Sequence, residues 1–137
     1  FFKQKTAYEL MPSLVVSDMC IRDRPKDVFL EILGNFTNTS LKVCFDTANS
    51  LVLGDDPIEL LKIVKNEVAT VHVFDIRAAN SFEPVLIGTG ASPIREILSF
   101  LKHSGFDGWL SIEEASQMGY DGFARAISFV RDTWEKV

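Results

Sequence analysis

Ala69-Thr-Val-His-Val-Phe-Asp75 decides how the rest of this chain reads. It is a short apolar run, rich in β-branched residues, with a histidine inside it and an acid just past its end. That is the pattern of a buried parallel strand delivering polar groups at its C-terminal edge. Working outward, Leu41-Lys-Val-Cys-Phe45 followed by Asp46 repeats the pattern upstream, and Trp109-Leu-Ser-Ile112 followed by Glu113 and Glu114 repeats it downstream. Strands are therefore expected over 41–45, 69–74 and 109–112. Between them the apolar period changes from two to about 3.6. Asp56-Pro57-Ile-Glu59 supplies an N-cap, a proline at the first helical position and an acid at the third, so a helix is expected from there to Lys65. Ser92-Pro93 opens the next helix, with Ile94, Ile97, Leu98 and Leu101 on one face and Gly105 as its stop. Phe123, Ala126, Ile127, Val130 and Trp134 mark the face of a last helix, and Val28, Phe29, Ile32 and Leu33 that of an early one ended by Gly34.

Alternating strands and helices are the signature of βαβ construction and a parallel sheet. A (β/α)8 barrel takes about 250 residues. With 137 residues the chain holds only part of one, and three βα units are expected. The first 24 residues, FFKQKTAYELMPSLVVSDMCIRDR, share no periodicity with the remainder and lack the apolar core of a signal peptide. They resemble a translated sequencing adapter, so the chain divides into a non-native leader, 1–24, and a barrel domain, 25–137.

At 47% apolar and 24% charged, the composition is that of a soluble globular protein. The net charge of -5, with no cluster of Lys and Arg, argues against nucleic acid or a membrane surface as partner. Cys20 and Cys44 have no zinc-ligand spacing, so reduced thiols and a cytoplasmic location are expected. Asn35 and Asn38 match the glycosylation acceptor pattern, which has no use without export.

Each expected strand ends in ionisable groups: Asp46, then His72 with Asp75, then Glu113 with Glu114. Barrel chemistry collects at the C-terminal ends of strands, and oxygen and imidazole ligands arriving from separate strands suit manganese, magnesium or cobalt better than zinc. Each group also has a plainer reading. Asp46-Thr-Ala-Asn49 is good turn chemistry, and His72 can be a core histidine, although Val71 and Val73 place it on the face opposite to theirs. Glu113 and Glu114 point to opposite faces, and the spacing after Ile112 favours Glu113 as the inward one. Gly88-Thr-Gly90 is either a tight turn or a phosphate cradle leading to the helix at Ser92. Cys44 reads as a core residue, and Trp109 and Trp134 as packing residues.

The segments VCFDTAN (43–49), VHVFD (71–75), GTG (88–90) and GFDGWLSIEEAS (105–116) resemble, in order, those of sugar phosphate isomerases/epimerases of the xylose isomerase-like barrel superfamily. The resemblance spans nearly all of 41–137 and implies the three C-terminal βα units of such a barrel. It implies that Asp46, His72 and Glu113 bind a divalent metal, while the fourth ligand, a glutamate, lies on an earlier strand not present in this chain. It further implies that Glu113 is catalytic, shuttling a proton through a cis-enediolate of a sugar or sugar-derived substrate. Asn49, Asp75 and Arg77 match substrate-contact positions, and Gly88 and Gly90 the phosphate loop. A homo-oligomer is compatible with this reading.

Two positions depart from the pattern: Asn49 stands where many members have a histidine, and Phe74 where many have a lysine. An abasic-site endonuclease of the same superfamily needs further histidines after the second strand, and none lies between Asp75 and Gly88. A keto-inositol dehydratase, or a non-catalytic half-barrel that associates with a partner, are the alternatives. Lacking five strands and one acid–base group, the chain by itself is expected to be inactive.

Overall fold

A computed structural model describes residues 26–35, 40 and 42–137. The leader expected over 1–24, Cys20, Asn38 and Leu41 lie outside the described residues. Two compact units divide at Lys42/Val43. The first contains helix α1, Lys26–Gly34, in which Phe29 is buried while Val28 and Ile32 remain exposed, so only part of the expected face is covered.

The second unit, Val43–Val137, holds strands β1 (Val43–Asp46), β2 (Val68–Val73) and β3 (Trp109–Ile112) in one parallel sheet of order β1-β2-β3. Helices α2 (Asn49–Val52) and α3 (Pro57–Val64) connect β1 to β2, α4 (Ile94–His103) connects β2 to β3, and α5 (Gly119–Lys136) follows β3. These are the three expected βα units, plus the short α2, which is too brief to show a period. Asp56 caps α3 as expected, its Oδ1 accepting from the N–H groups of Ile58 and Glu59 with Pro57 at the first turn. At the far end of α4, Gly105 takes φ +75°, and the Gly105 and Phe106 N–H groups donate to Lys102 O and Leu101 O. This paired closure needs a left-handed residue, which is why the helix stops at a glycine.

Val43, Phe45, Val71 and Val73 share the face of the sheet that packs on the helices, with Leu61, Val64, Ile97, Leu98 and Leu101 completing the buried layer. Residues of opposite parity, Cys44, Asp46, Thr70, His72, Trp109 and Ser111, line the other face in register. That face is the interior side of a barrel, and in this chain it is only partly covered: Trp109, expected to pack, is 73% exposed. The face of α5 also differs from expectation. Gly122, Ala126, Val130 and Thr133 are buried, whereas Phe123 and Ile127 are exposed. A Cβ at Gly122 would stand 3.2 Å from Glu114 Oε1, so close approach selects the small residues for the contact stripe and turns the larger ones outward.

Candidate metal centre

The site is built where β1 ends. Asp46 Oδ1 accepts from the N–H groups of Ala48 and Asn49, both at 2.8 Å, closing an Asx-turn that leads into α2. The turn reading of Asp46 holds, and it is compatible with the ligand reading, since both turn bonds fall on one carboxylate oxygen. Below the turn, Ala48, Phe74 and Ile76 form a small buried cluster against which Leu51 and Val52 pack. Phe74, standing where a lysine is common, fills this cluster at 2% exposure.

In the ladder, Asp46 lies opposite His72, and His72 opposite Ser111, whose strand continues two residues on to Glu113. The Glu113 N–H donates to Val73 O, so the parallel pairing extends through the residue that carries the carboxylate. His72 Nδ1 sits 3.2 Å from Glu113 Oε2. Both are lone-pair atoms unless the ring nitrogen is protonated, so a proton or a cation satisfies the pair. One donor atom each from Asp46, His72 and Glu113 lies within 4.8 Å of the others, a spread that one divalent cation closes by small side-chain adjustment.

Burial pushes the Asp46 carboxyl up from 3.8 to about 6, and the Glu113 charge adds to it, while the Ala48 and Asn49 N–H groups and His72 pull it down. Because the folded value lies above the unfolded one, Asp46 favours the fold below pH 3.8, and that contribution, about 3 kcal/mol, is lost as pH rises through about 6. Cation binding has the opposite sign, because it needs the ionised carboxylate. Were Mn2+ held by these donors, a gain in melting temperature would be expected at pH 7.5 and would vanish near pH 5, a window that thermal denaturation at both pH values checks. An equal gain at the two would refute it.

Asp75 has a different task. It is 1% exposed, and four backbone N–H groups donate to its carboxylate: Ile76 and Ser92 to Oδ1, Gly88 and Gly90 to Oδ2, at 2.8–3.1 Å. The two glycine N–H groups that a phosphate would take are engaged by an internal anion. A Cβ at Gly90 would collide with Ile76 O and Asp75 Oδ1, and Gly88 has φ +90° with Phe129 against it, so this turn requires both glycines. Ser92 contributes its N–H to Asp75 rather than a hydroxyl cap to α4, which begins at Ile94 after Pro93. Glu114 accepts from the N–H groups of Ile87 and Ser116, so it serves the loops, while Glu113 lies beside His72.

Asn49 is half-buried at the first turn of α2, beside Asp46. Arg77 is exposed and paired with Glu83 at 2.6 Å, on a loop whose Ile76 bridges Pro84 and whose Phe82 ring tilts against Phe74. The residue that sequence reasoning passed over is Thr47. It is fully buried and bonded to Phe74, the residue just past β2, and its position directly after the strand-ending aspartate was the only sign.

The model of the xylose isomerase-like TIM barrel matches residues 4–133. A xylose isomerase domain protein from Planctomyces limnophilus superposes with a TM-score of 0.73 at 26% identity, over 83% of this chain and 45% of that one. A D-tagatose 3-epimerase-like protein gives 0.67 at 22% identity, over 80% and 40%. The probable 3-DHS dehydratase AsbF of Bacillus anthracis gives 0.68 at 17% identity, over 77% and 44%. No curated protein matches. The chain spans less than half the length of these solved structures. Among the described residues no helix is long and apolar enough to cross a membrane. With a match over nearly its whole length, three parallel βα units and acids at the strand ends, the chain belongs to the xylose isomerase-like TIM barrel family.

Proposed function

We propose that this chain carries the metal-binding side of a sugar isomerase or epimerase site, with Asp46, His72 and Glu113 as ligands to manganese, magnesium or cobalt. The observation that carries the reading is the convergence of these three donors from successive parallel strand ends. Two carboxylates and one imidazole are a harder donor set than thiolate-rich zinc sites offer. A divalent cation held here supplies charge that polarises a ketose carbonyl and its neighbouring hydroxyl, making the adjacent carbon more acidic.

Glu113 takes that proton, leaving an enediolate of the sugar; it returns the proton to the neighbouring carbon in an isomerisation, whereas in an epimerisation the second acid–base group delivers a proton to the opposite face. Asn49, next to Asp46, donates a hydrogen bond to substrate but cannot titrate, and Arg77 contacts a substrate oxygen after leaving Glu83. We assign Asp75 to loop architecture instead of substrate, because its lone pairs face four N–H groups. The substrate is read as an unphosphorylated sugar, since the Gly88 and Gly90 N–H groups are engaged. The second acid–base group and a fourth ligand belong to strands beyond these three.

Mass spectrometry of a ketohexose incubated in D2O tests this, using the chain joined to a complementary five-strand barrel half. Metal-dependent deuterium uptake that disappears in Glu113→Gln is expected, and the chain alone should give no turnover. Loss of water from the sugar would assign a dehydratase, and absence of any metal-dependent exchange would sink the proposal.

A further inference from the structure

We infer that Thr47 is a positioning residue of the metal centre: its side chain splices β1 to β2 at the one point where the main chain must leave the sheet. The inference rests on the metal-site reading of Asp46, His72 and Glu113.

In a regular parallel ladder a residue donates its N–H to one residue of the neighbouring strand and accepts, at its carbonyl, from the residue two further on. Thr47 makes the first of these bonds, its N–H donating to His72 O at 3.1 Å. The second is made by the side chain. Thr47 Oγ1 accepts from the Phe74 N–H at 2.9 Å, and it also donates to Phe74 O at 2.6 Å. A hydroxyl thus stands in for the carbonyl that the ladder would have used.

The consequence lies one residue back. With its carbonyl released from the ladder, the chain turns at once into Ala48 and Asn49, whose N–H groups fold onto Asp46 Oδ1. Meanwhile β2 ends at Val73, and the next residue, Phe74, is held through both its backbone N–H and its C=O by the same hydroxyl. Asp46 and His72 are therefore fixed relative to each other from the residues immediately after them. Thr47 is 0% exposed, so water cannot replace the hydroxyl, and its β-branch restricts the rotamer that reaches Phe74.

The test is Mn2+ titration of the full chain against Thr47→Val, Thr47→Ser and a control, Thr133→Val. Thr133 is equally buried on α5, and its hydroxyl accepts from Arg95 away from the site. Thr47→Val is expected to weaken Mn2+ binding by roughly 10- to 100-fold, the usual consequence of losing a residue that orients a ligand. Thr47→Ser should recover the affinity, and Thr133→Val should leave it unchanged. Affinity in Thr47→Val equal to that of the unaltered chain would overturn the inference while leaving the metal site standing, as would an equal loss in Thr133→Val. If the unaltered chain binds no Mn2+, both the site and the inference fall. Should Thr47→Val not fold, hydrogen exchange at the Phe74 amide of the unaltered chain decides: Mn2+ is expected to slow it at least tenfold, and an unchanged rate would overturn the inference.

Discussion

Asp75→Ala is expected to destabilise the folded chain by about 4 kcal/mol, read from urea denaturation at neutral pH. The carboxylate is buried and receives N–H groups of residues 76, 88, 90 and 92. Removing it strands those four donors. Each unmet buried donor costs about 1–3 kcal/mol, reduced here because the Gly88 and Gly90 positions are exposed and water reaches them. Asp75→Asn keeps one acceptor oxygen but turns an NH2 group toward other N–H donors, so a smaller loss, about 2–3 kcal/mol, is expected. A loss below about 1 kcal/mol in the alanine variant would show that the loop over 85–92 does not depend on this anion.

The second large effect concerns affinity. His72→Ala is expected to weaken Mn2+ binding by roughly 100-fold or more, exceeding the 10- to 100-fold typical of changes one shell further out. Calorimetric titration of the chain, with His103→Ala as control, checks it. His103 is exposed on the last turn of α4 and bonded to Ser99 O, so it shares the chemistry of His72 without its position. An unaltered affinity in His72→Ala, or an equal loss in His103→Ala, would remove the imidazole from the ligand set. The apo fold should tolerate the change, because His72 lies on the open face of β2 while Val71 and Val73 hold the core face.

What was legible in the sequence was local. The cap of α3 at Asp56 and the closure of α4 at Gly105 depend on residues within one turn of each other, and the short-range pattern states them fully. The buried stripe of α4 follows from spacing alone, because large side chains at Ile94, Ile97, Leu98 and Leu101 leave one face to cover. Placement of acids at strand ends was equally legible, as was the parity that sets Glu113 rather than Glu114 on the side of His72, since side-chain parity along a strand is a property of the strand itself.

Tertiary structure decided what depends on distance between strands. That Asp46, His72 and Glu113 meet within 4.8 Å follows from ladder register, which one strand cannot specify by itself. Asp75 was read as a substrate contact from the family resemblance, and its bonds to N–H groups up to 17 residues away were not legible, because backbone donors leave no mark in a sequence. Nor does hydropathy reveal that α5 approaches through Gly122 and Ala126, since close packing selects small size rather than apolarity. Periodicity and capping are written in neighbouring residues and are settled before the chain folds. Register, burial of a charge and helix orientation are properties of pairs far apart in sequence, and they exist only once the strands align.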